Sequence, residues 1–318
     1  MEQPQFEDII KAHNLIRPYI HRTPVLTSAS LNKITGSDLY FKCENFQKVG
    51  AFKFRGACNA IFSLSDENAA QGVCTHSSGN HAAALALAAR IRKIPAYIVM
   101  PETAPKIKKE AVAGYGANIT FCQPTLEARE RMLVQVAAQT GAKEIHPYHN
   151  FQVICGQGTA AKELIEDAGP FDLILCPVGG GGLLSGTAVS SRAMNKTGLV
   201  VAAEPEGADD ACRSFHAHKL IPSVNPKTIA DGLLTSVGEL NFRIIQRFTD
   251  EIVTVSEKGI VEAMRMIWER MKIIIEPSSA VPLGAILENR INVRGKKTGI
   301  ILSGGNVDLE KLPFYPNT

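Results

Sequence analysis

Apolar residues recur at helical spacing over residues 6 to 17, where Phe6, Ile9, Ile10, Ala12, Leu15 and Ile16 share one face, so the chain is expected to open with a helix. Pro18 and then His21-Arg22-Thr23-Pro24 end it, because proline cannot continue the ladder. The period then switches repeatedly. Leu39 to Cys43 reads as a strand, with a helix from Ala57 to Leu64 after it. Val73 to His76 is a short strand running into Ser77-Ser78-Gly79-Asn80-His81, and then into Ala82 to Ala89, small and apolar enough for a buried helix. Strand 96–100, helix 105–114, strand 119–122 and helix 124–139 follow. Beyond them come a helix at 157–167, strand 173–176, a glycine run leading into a helix, strand 199–203, strand 252–255, helices at 257–271 and 278–289, and strand 299–302. Such alternation predicts an α/β chain whose parallel sheet is built from βαβ units. Residues 72–149 are expected to form a small sheet domain of their own.

Length and charge narrow the picture. A chain of 318 residues suits two modest domains or one large α/β unit. With 45% hydrophobic and 20% charged residues it has the composition of a soluble globular protein. A net charge of +3 without any block of Lys or Arg argues against nucleic acid or a membrane surface as partner. The N-terminus is polar and acidic, and no apolar run is long enough to span a bilayer, so a cytoplasmic protein is expected. The seven cysteines are scattered and form no CxxC pair, which supports neither a zinc knuckle nor a disulfide framework; they read as small core residues.

Four stretches carry candidate chemistry. Lys53 sits between Phe52 and Phe54, followed by Arg55-Gly56. Aromatic neighbours desolvate an amine, lower its pKa and free it to attack a carbonyl; the alternative is a solvated lysine on an amphipathic helix. Gly179-Gly180-Gly181-Gly182 lies between a strand and a helix start, where unobstructed N–H groups converge on a phosphate. A dinucleotide fold is the rival reading, with Glu204 closing the next strand, but no register satisfies GxGxxG because Leu184 or Ser185 falls on the third glycine. Ser77 to His81 occupies another strand-to-helix junction, offering hydroxyls, N–H groups and an amide as a carboxylate cradle, and also an ordinary N-cap. Glu204-Pro205-Glu206-Gly207-Ala208-Asp209-Asp210 places two carboxylates six residues apart after a strand. These can serve a divalent cation or form a solvated acidic loop.

Taken in order, the stretch Lys48 to Gly56, the turn Ser77 to His81, the tetraglycine loop and Ser303-Gly304-Gly305-Asn306 resemble the fold type II pyridoxal-phosphate enzymes of the serine/threonine dehydratase and serine racemase family. The resemblance spans essentially the whole chain. It implies two open, mostly parallel twisted sheets flanked by helices, in the manner of the tryptophan synthase β fold. Residues 1–71 with 150–318 would form a large cofactor-binding domain and residues 72–149 a small mobile one. Lys53 would hold pyridoxal 5'-phosphate as a Schiff base with Phe52 beside the ring. Gly179, Gly180, Gly181, Gly182 and the N–H of Leu183 would bind the phosphate, Asn80 the ring hydroxyl, and Ser303 the pyridine nitrogen. A hydroxyl at that nitrogen does not enforce ring protonation, which favours reprotonation or β-elimination over transamination.

The resemblance also implies Lys53 and Ser78 as acid–base groups on opposite faces of the substrate. Ser77, Ser78, Gly79, Asn80 and His81 would bind its carboxylate, with Arg129 near the entrance. Glu204, the Ala208 carbonyl and Asp210 would hold Mg²⁺, Ca²⁺ or Mn²⁺. Pro226 to Gly232 and Glu276-Pro277 look racemase-like. Ser28, Lys48 and Tyr115 match positions that contact activating ATP, whereas Ala29, Val49 and Ala83 stand where polar residues are the pattern. The expected activity is interconversion of L- and D-serine with β-elimination to pyruvate and ammonia, in a homodimer. The alternatives are an ammonia-lyase for threonine, serine or 3-hydroxyaspartate, and a non-catalytic cofactor-binding protein. Tyr148-His149-Asn150, by the substrate mouth, departs from the mammalian-type racemase pattern.

Overall fold

The computed structural model describes residues 2–77, 79–104 and 106–314. Its ten strands are β1 (Val25–Thr27), β2 (Asp38–Cys43), β3 (Val73–His76), β4 (Ala96–Pro101), β5 (Asn118–Cys122), β6 (Lys143–Glu144), β7 (Leu173–Pro177), β8 (Leu199–Pro205), β9 (Glu251–Val255) and β10 (Lys297–Leu302). They make two sheets. One has six strands in the order β1-β2-β10-β7-β8-β9, and the other has four in the order β5-β4-β3-β6. Every pairing is parallel except β1 with β2. The parallel strands read as near-continuous apolar runs because helices cover both faces. All five residues of β7 are buried, as are six of the seven in β8.

The helix Asn80–Arg92 owes its burial to small side chains: Ala82, Ala84, Leu85, Ala86, Ala88 and Ala89 let it pack into the core of the four-stranded sheet. The helix Phe151–Ala168 is buried over most of its length and lies against the helices Lys53–Phe62 and Gly182–Met194. Glycine makes that contact possible. A Cβ on Gly156 would stand 2.5 Å from the Arg55 carbonyl, and one on Gly186 2.5 Å from the Gly158 nitrogen. No helix among the described residues is long and apolar enough to cross a membrane.

Three helices differ from their expected bounds. The helix expected from Ala57 begins at Lys53, so the lysine stands on a first turn instead of in a loop. The helix expected at 157–167 begins at Phe151, where the Asn150 side chain accepts from the Val153 N–H at 3.0 Å. Gly156 and Gly158 disfavour a helix locally, and close packing outweighs that preference. The helix after the glycine run starts inside it, at Gly182. Helix Ala29–Thr35 and the short β1 and β6 carry too few apolar positions to stand out by periodicity, whereas Glu239–Phe248, absent from the expected elements, does carry Leu240, Ile244 and Ile245 on one buried face.

Candidate active site

Strands β2, β10 and β7 are neighbours and run in parallel, so their C-terminal ends open on the same edge of the sheet, where open α/β sheets form their crevices. From β2 the chain reaches Lys53, from β10 it reaches Ser303, and from β7 it reaches Gly179 to Gly182. The four-stranded sheet adds its own C-terminal edge: Ser77 to His81 follow β3, and His146 to Asn150 follow the adjacent β6.

Lys53 is partly buried, and its Nζ donates to the Pro147 carbonyl at 3.0 Å while lying 5.1 Å from the centre of the Phe52 ring. Burial brings its pKa down to about 8, and the negative charge of Glu276 limits the fall. At Gly180 a Cβ would sit 2.4 Å from the Tyr148 ring, and at Gly182 3.0 Å from the Tyr148 Cβ. Gly181 takes φ +88° as the residue before the helix. The first turn of that helix leaves N–H groups without intrahelical partners, at its positive end. A phosphate needs this combination of free donors and close approach, so the residues present fit the expected cofactor. Ser303 is buried, its Oγ 3.0 Å from Ser279 Oγ, and its carbonyl accepts from the Phe52 N–H at 2.9 Å, joining the two strand ends.

Asn80 is held from both sides. Its Nδ2 lies 3.0 Å from each Glu276 carboxylate oxygen, and its Oδ1 accepts from Asn306 Nδ2 at 2.9 Å. The Asn306 amide also donates to the Val49 carbonyl at 2.7 Å. Glu276 precedes the helix Pro277–Leu287, and burial pushes its carboxyl up to about 7. In the sequence Glu276-Pro277 carries no assigned role and Asn306 is only the end of a motif. Both act through contacts with residues some 200 positions away, 196 for Glu276 and 226 for Asn306.

Ser77 and Gly79 lie in the same turn, the Ser77 hydroxyl accepting from the Gly79 N–H at 3.3 Å. Ser78 lies outside the described residues. His81 is buried with Nε2 3.1 Å from the Ile145 carbonyl and with Nδ1 lacking a partner, and burial drives its pKa down to about 3. Three further imidazoles belong to the site: His149, which the sequence already places by the substrate mouth, and His76 and His146, which it does not single out. His146 stands edge-on to His76, Tyr148 and His149, with ring centres 6.3, 4.6 and 5.9 Å apart. Burial lowers the pKa values of His146, to about 3, and of His76, so both are neutral donors or acceptors. Arg129 is on the helix Leu126–Thr140, its Nε 3.4 Å from the Thr125 carbonyl, and its charge adds to the lowering of His76. The signal that could have found the imidazoles is topological: β6 ends beside β3.

Glu204 closes β8, fully buried, and accepts from the Ala211 and Cys212 N–H groups at 3.1 and 2.8 Å. Asp210 is equally buried; its Oδ2 accepts from the Val237 N–H at 2.9 Å and its Oδ1 has no partner. Burial raises the pKa of both, that of Asp210 to about 6. Two desolvated carboxylates and one orphaned oxygen fit a divalent cation, which would supply the missing countercharge. No group of three or more His, Cys, Asp or Glu side chains gathers at a metal position among the described residues. Ala208, whose carbonyl is the third expected ligand, is buried in the turn between them. Of the nucleotide positions, Ser28 is occupied in capping the helix Ala29–Thr35, Lys48 Nζ rests 5.7 Å from the Phe54 ring, and Tyr115 is partly buried against the same apolar core as Val49 and Ala83.

Comparison with known proteins agrees with this geometry. The family described as "Pyridoxal-phosphate dependent enzyme" matches residues 16–304. The β-hydroxyaspartate dehydratase of Paracoccus denitrificans is 51% identical over 98% of this chain and 99% of its own length. The serine racemase of Dictyostelium discoideum is 53% identical over 96% of each. The solved structure of maize serine racemase, 45% identical, superposes with a TM-score of 0.95 over 97% of this chain and 95% of that one. With the lysine, the glycine loop and Ser303 on one crevice and relatives matched end to end, the chain belongs to the fold type II pyridoxal-phosphate enzymes, in the serine racemase and serine/threonine dehydratase family.

Proposed function

We propose that this enzyme interconverts L- and D-serine and, from the same bound substrate, eliminates water to give pyruvate and ammonia. The observation that carries the reading is the Lys53 amine, desolvated to a pKa of about 8 and aimed at the crevice between the two sheets. Gly179 to Gly182 with the Leu183 N–H would hold the cofactor phosphate, Asn80 the ring hydroxyl and Ser303 the ring nitrogen, with Phe52 alongside. When bound, pyridoxal phosphate supplies the electron sink that acidifies the substrate's α-proton. Lys53 takes that proton from one face as a general base whose pKa is near working pH. Ser78 returns one from the other face, and Ser77, Gly79, Asn80 and His81, the last through its backbone N–H in the first turn of the helix, orient the substrate carboxylate. Protonation at the α-carbon gives racemisation; loss of the β-hydroxyl gives elimination.

Glu204, Ala208 and Asp210 hold Mg²⁺, or Ca²⁺ or Mn²⁺, in this reading, tying the end of β8 to the helix Asp210–Ala217. Residues 72–149 act as a mobile unit closing over the substrate against a large unit of residues 1–71 and 150–318. A homodimer in the cytoplasm belongs to the same reading. The ATP positions do not enter it, since Ser28 is occupied as a cap and Val49 and Ala83 bring no polar group.

A second reading, an ammonia-lyase for 3-hydroxyaspartate, is favoured by one observation. Arg129 is near enough to His76 to lower its pKa, placing a fixed cation where a second carboxylate could be met, and the Paracoccus relative is a β-hydroxyaspartate dehydratase. The deciding experiment is chiral chromatography with a pyruvate assay on purified protein given L-serine, pyridoxal phosphate and Mg²⁺, with and without EDTA, and 3-hydroxyaspartate in parallel. D-Serine is expected, reduced by EDTA, and lost in Ser78→Ala while elimination of L-serine persists. Pyruvate from L-serine without D-serine under any condition would sink the racemase reading and leave the lyase.

A further inference from the structure

We infer that the buried charge cluster around Arg55 is the anchor that places the Lys53 amine, which makes Arg55 a positioning residue for the reaction. The inference rests on the reading of Lys53 as the cofactor lysine. Lys53 opens its helix and Arg55 follows two positions later, about 200° further round the axis. The two side chains therefore leave the helix on opposite sides, Lys53 toward the crevice and Arg55 into the core.

Arg55 is completely buried and every N–H of its guanidinium is used. It meets the Glu44 carboxylate through Nε (2.7 Å) and Nη2 (2.8 Å) and the Glu163 carboxylate through Nη1 (2.9 Å) and Nη2 (2.7 Å). The Thr159 hydroxyl and the His21 carbonyl complete the set at 3.1 and 3.4 Å. Lys42, equally buried, donates to Glu163 and to the Thr23 carbonyl, both at 2.7 Å, and His13 Nε2 is 3.4 Å from Glu163. As a source of stability such a cluster is a weak choice, because desolvating the ions opposes their attraction and apolar residues of equal volume serve as well. As a source of geometry it is a strong one, since forked bonds to two carboxylates fix a planar guanidinium in every direction.

The need for geometry lies at the helix start. A first turn lacks half of its intrahelical bonds and frays unless tethered. Here the tether reaches three elements: Glu44 just past β2, Glu163 on the helix Phe151–Ala168, and His21 in the segment before β1. The Gly56 N–H bonds Gln157 Oε1 at 3.2 Å on the same helix, and Gly156 leaves no room between the Arg55 carbonyl and its own Cα. With the turn fixed, Nζ is delivered to its 3.0 Å contact with the Pro147 carbonyl. The charge cluster and the reacting amine are thus two ends of one short rigid piece.

The test uses holoenzyme and two variants. Arg55→Lys keeps the charge and loses the fork; Thr159→Val removes one neutral partner and no charge. The readouts are the circular dichroism induced in the cofactor's absorption band per mole of bound cofactor, kcat and KM for L-serine, and the melting temperature. For Arg55→Lys the induced band weakens or changes sign and kcat falls about 10- to 100-fold, as a displacement near 1 Å implies, with KM within about threefold. Thr159→Val moves the band and kcat in the same direction by less. A wild-type band and kcat in both variants, with only the melting temperature lowered, would overturn the inference and leave a structural ion cluster. Should Arg55→Lys fail to fold, Thr159→Val decides alone by the same criterion. If Lys53→Ala captured cofactor with the wild-type absorption, the reading of Lys53 would fail and this inference with it, an outcome distinct from silent Arg55 and Thr159 variants.

Discussion

The Lys53 amine has to be uncharged before it can attack a carbonyl. In water it would be protonated at neutral pH; burial beside Phe52 brings its pKa down to about 8, with the Glu276 charge pulling the other way. The sign follows directly. Capture of pyridoxal phosphate by cofactor-free protein is slow while the amine is protonated and accelerates as pH rises through about 8. Glu276→Gln removes the opposing negative charge, so its midpoint moves to lower pH. Stopped-flow absorbance across the pH range measures both; an unshifted midpoint in Glu276→Gln would remove Glu276 from the electrostatics of the lysine. The carboxyl of Glu276 itself sits near 7, raised mainly by burial, so the variant and wild type converge at pH values below its titration.

At the scale of elements, the site is built from strand ends, and glycine decides how closely they approach. The helix bearing Lys53 lies flush on the helix Phe151–Ala168 because Gly156 faces backbone: an added Cβ would stand 2.5 Å from the Arg55 carbonyl and 2.7 Å from the Gly56 Cα. Backbone cannot swing aside, so Gly156→Ala must part the helices. Overpacking of this kind costs about 1–3 kcal/mol, which for a chain of this size lowers the melting temperature by roughly 2–10 °C. Because the displaced helix carries the lysine, kcat is expected to fall more than KM rises. Gly114→Ala, with nothing within 4 Å of the added Cβ, is the control that leaves both unchanged. Calorimetry and steady-state kinetics on the pair check this. The same glycines mark the limit of what the sequence discloses. Gly179 to Gly182 stand out in the sequence because what they provide is local, an unobstructed row of N–H groups at a helix start. Gly156 and Gly158 look like helix breakers because their purpose is another helix. Lys53, Asn80 and Ser303 were legible from their neighbours in the chain. Glu163 was not, since it meets Arg55 across 108 residues, and neither were His76 and His146, which share the site because β3 and β6 pair.

Across the whole molecule the two sheets meet over the crevice through polar contacts that include, besides Lys53 with the Pro147 carbonyl, two sets on the side of Asn80 and Lys108. The Asn80 amide bonds Glu276 and Asn306, and Lys108 pairs with Asp231. Lys108 lies on the helix Lys106–Gly114 of the four-stranded unit, its Nζ 4.0 Å from where a Cβ on Gly79 would be, while Asp231 precedes Leu233 beside the glycine loop. This ion pair is half exposed, at 28% and 52%, and exposed pairs contribute about 0–1 kcal/mol. If residues 72–149 close over the substrate as proposed, such a weak tie suits product release, since it would shift the open–closed equilibrium by at most about fivefold. Lys108→Gln is therefore expected to raise KM for L-serine by no more than about fivefold, leaving kcat nearly unchanged. Salt supplies the second half of the test, because exposed pairs are screened. KM of the wild type should climb with ionic strength toward that of the variant, while the variant's own KM stays flat. Measuring KM for L-serine against salt in both proteins separates the outcomes. A loss of more than tenfold in kcat (about 1.4 kcal/mol of barrier) would put Lys108 among the groups that act on the substrate instead of among those that close the crevice over it.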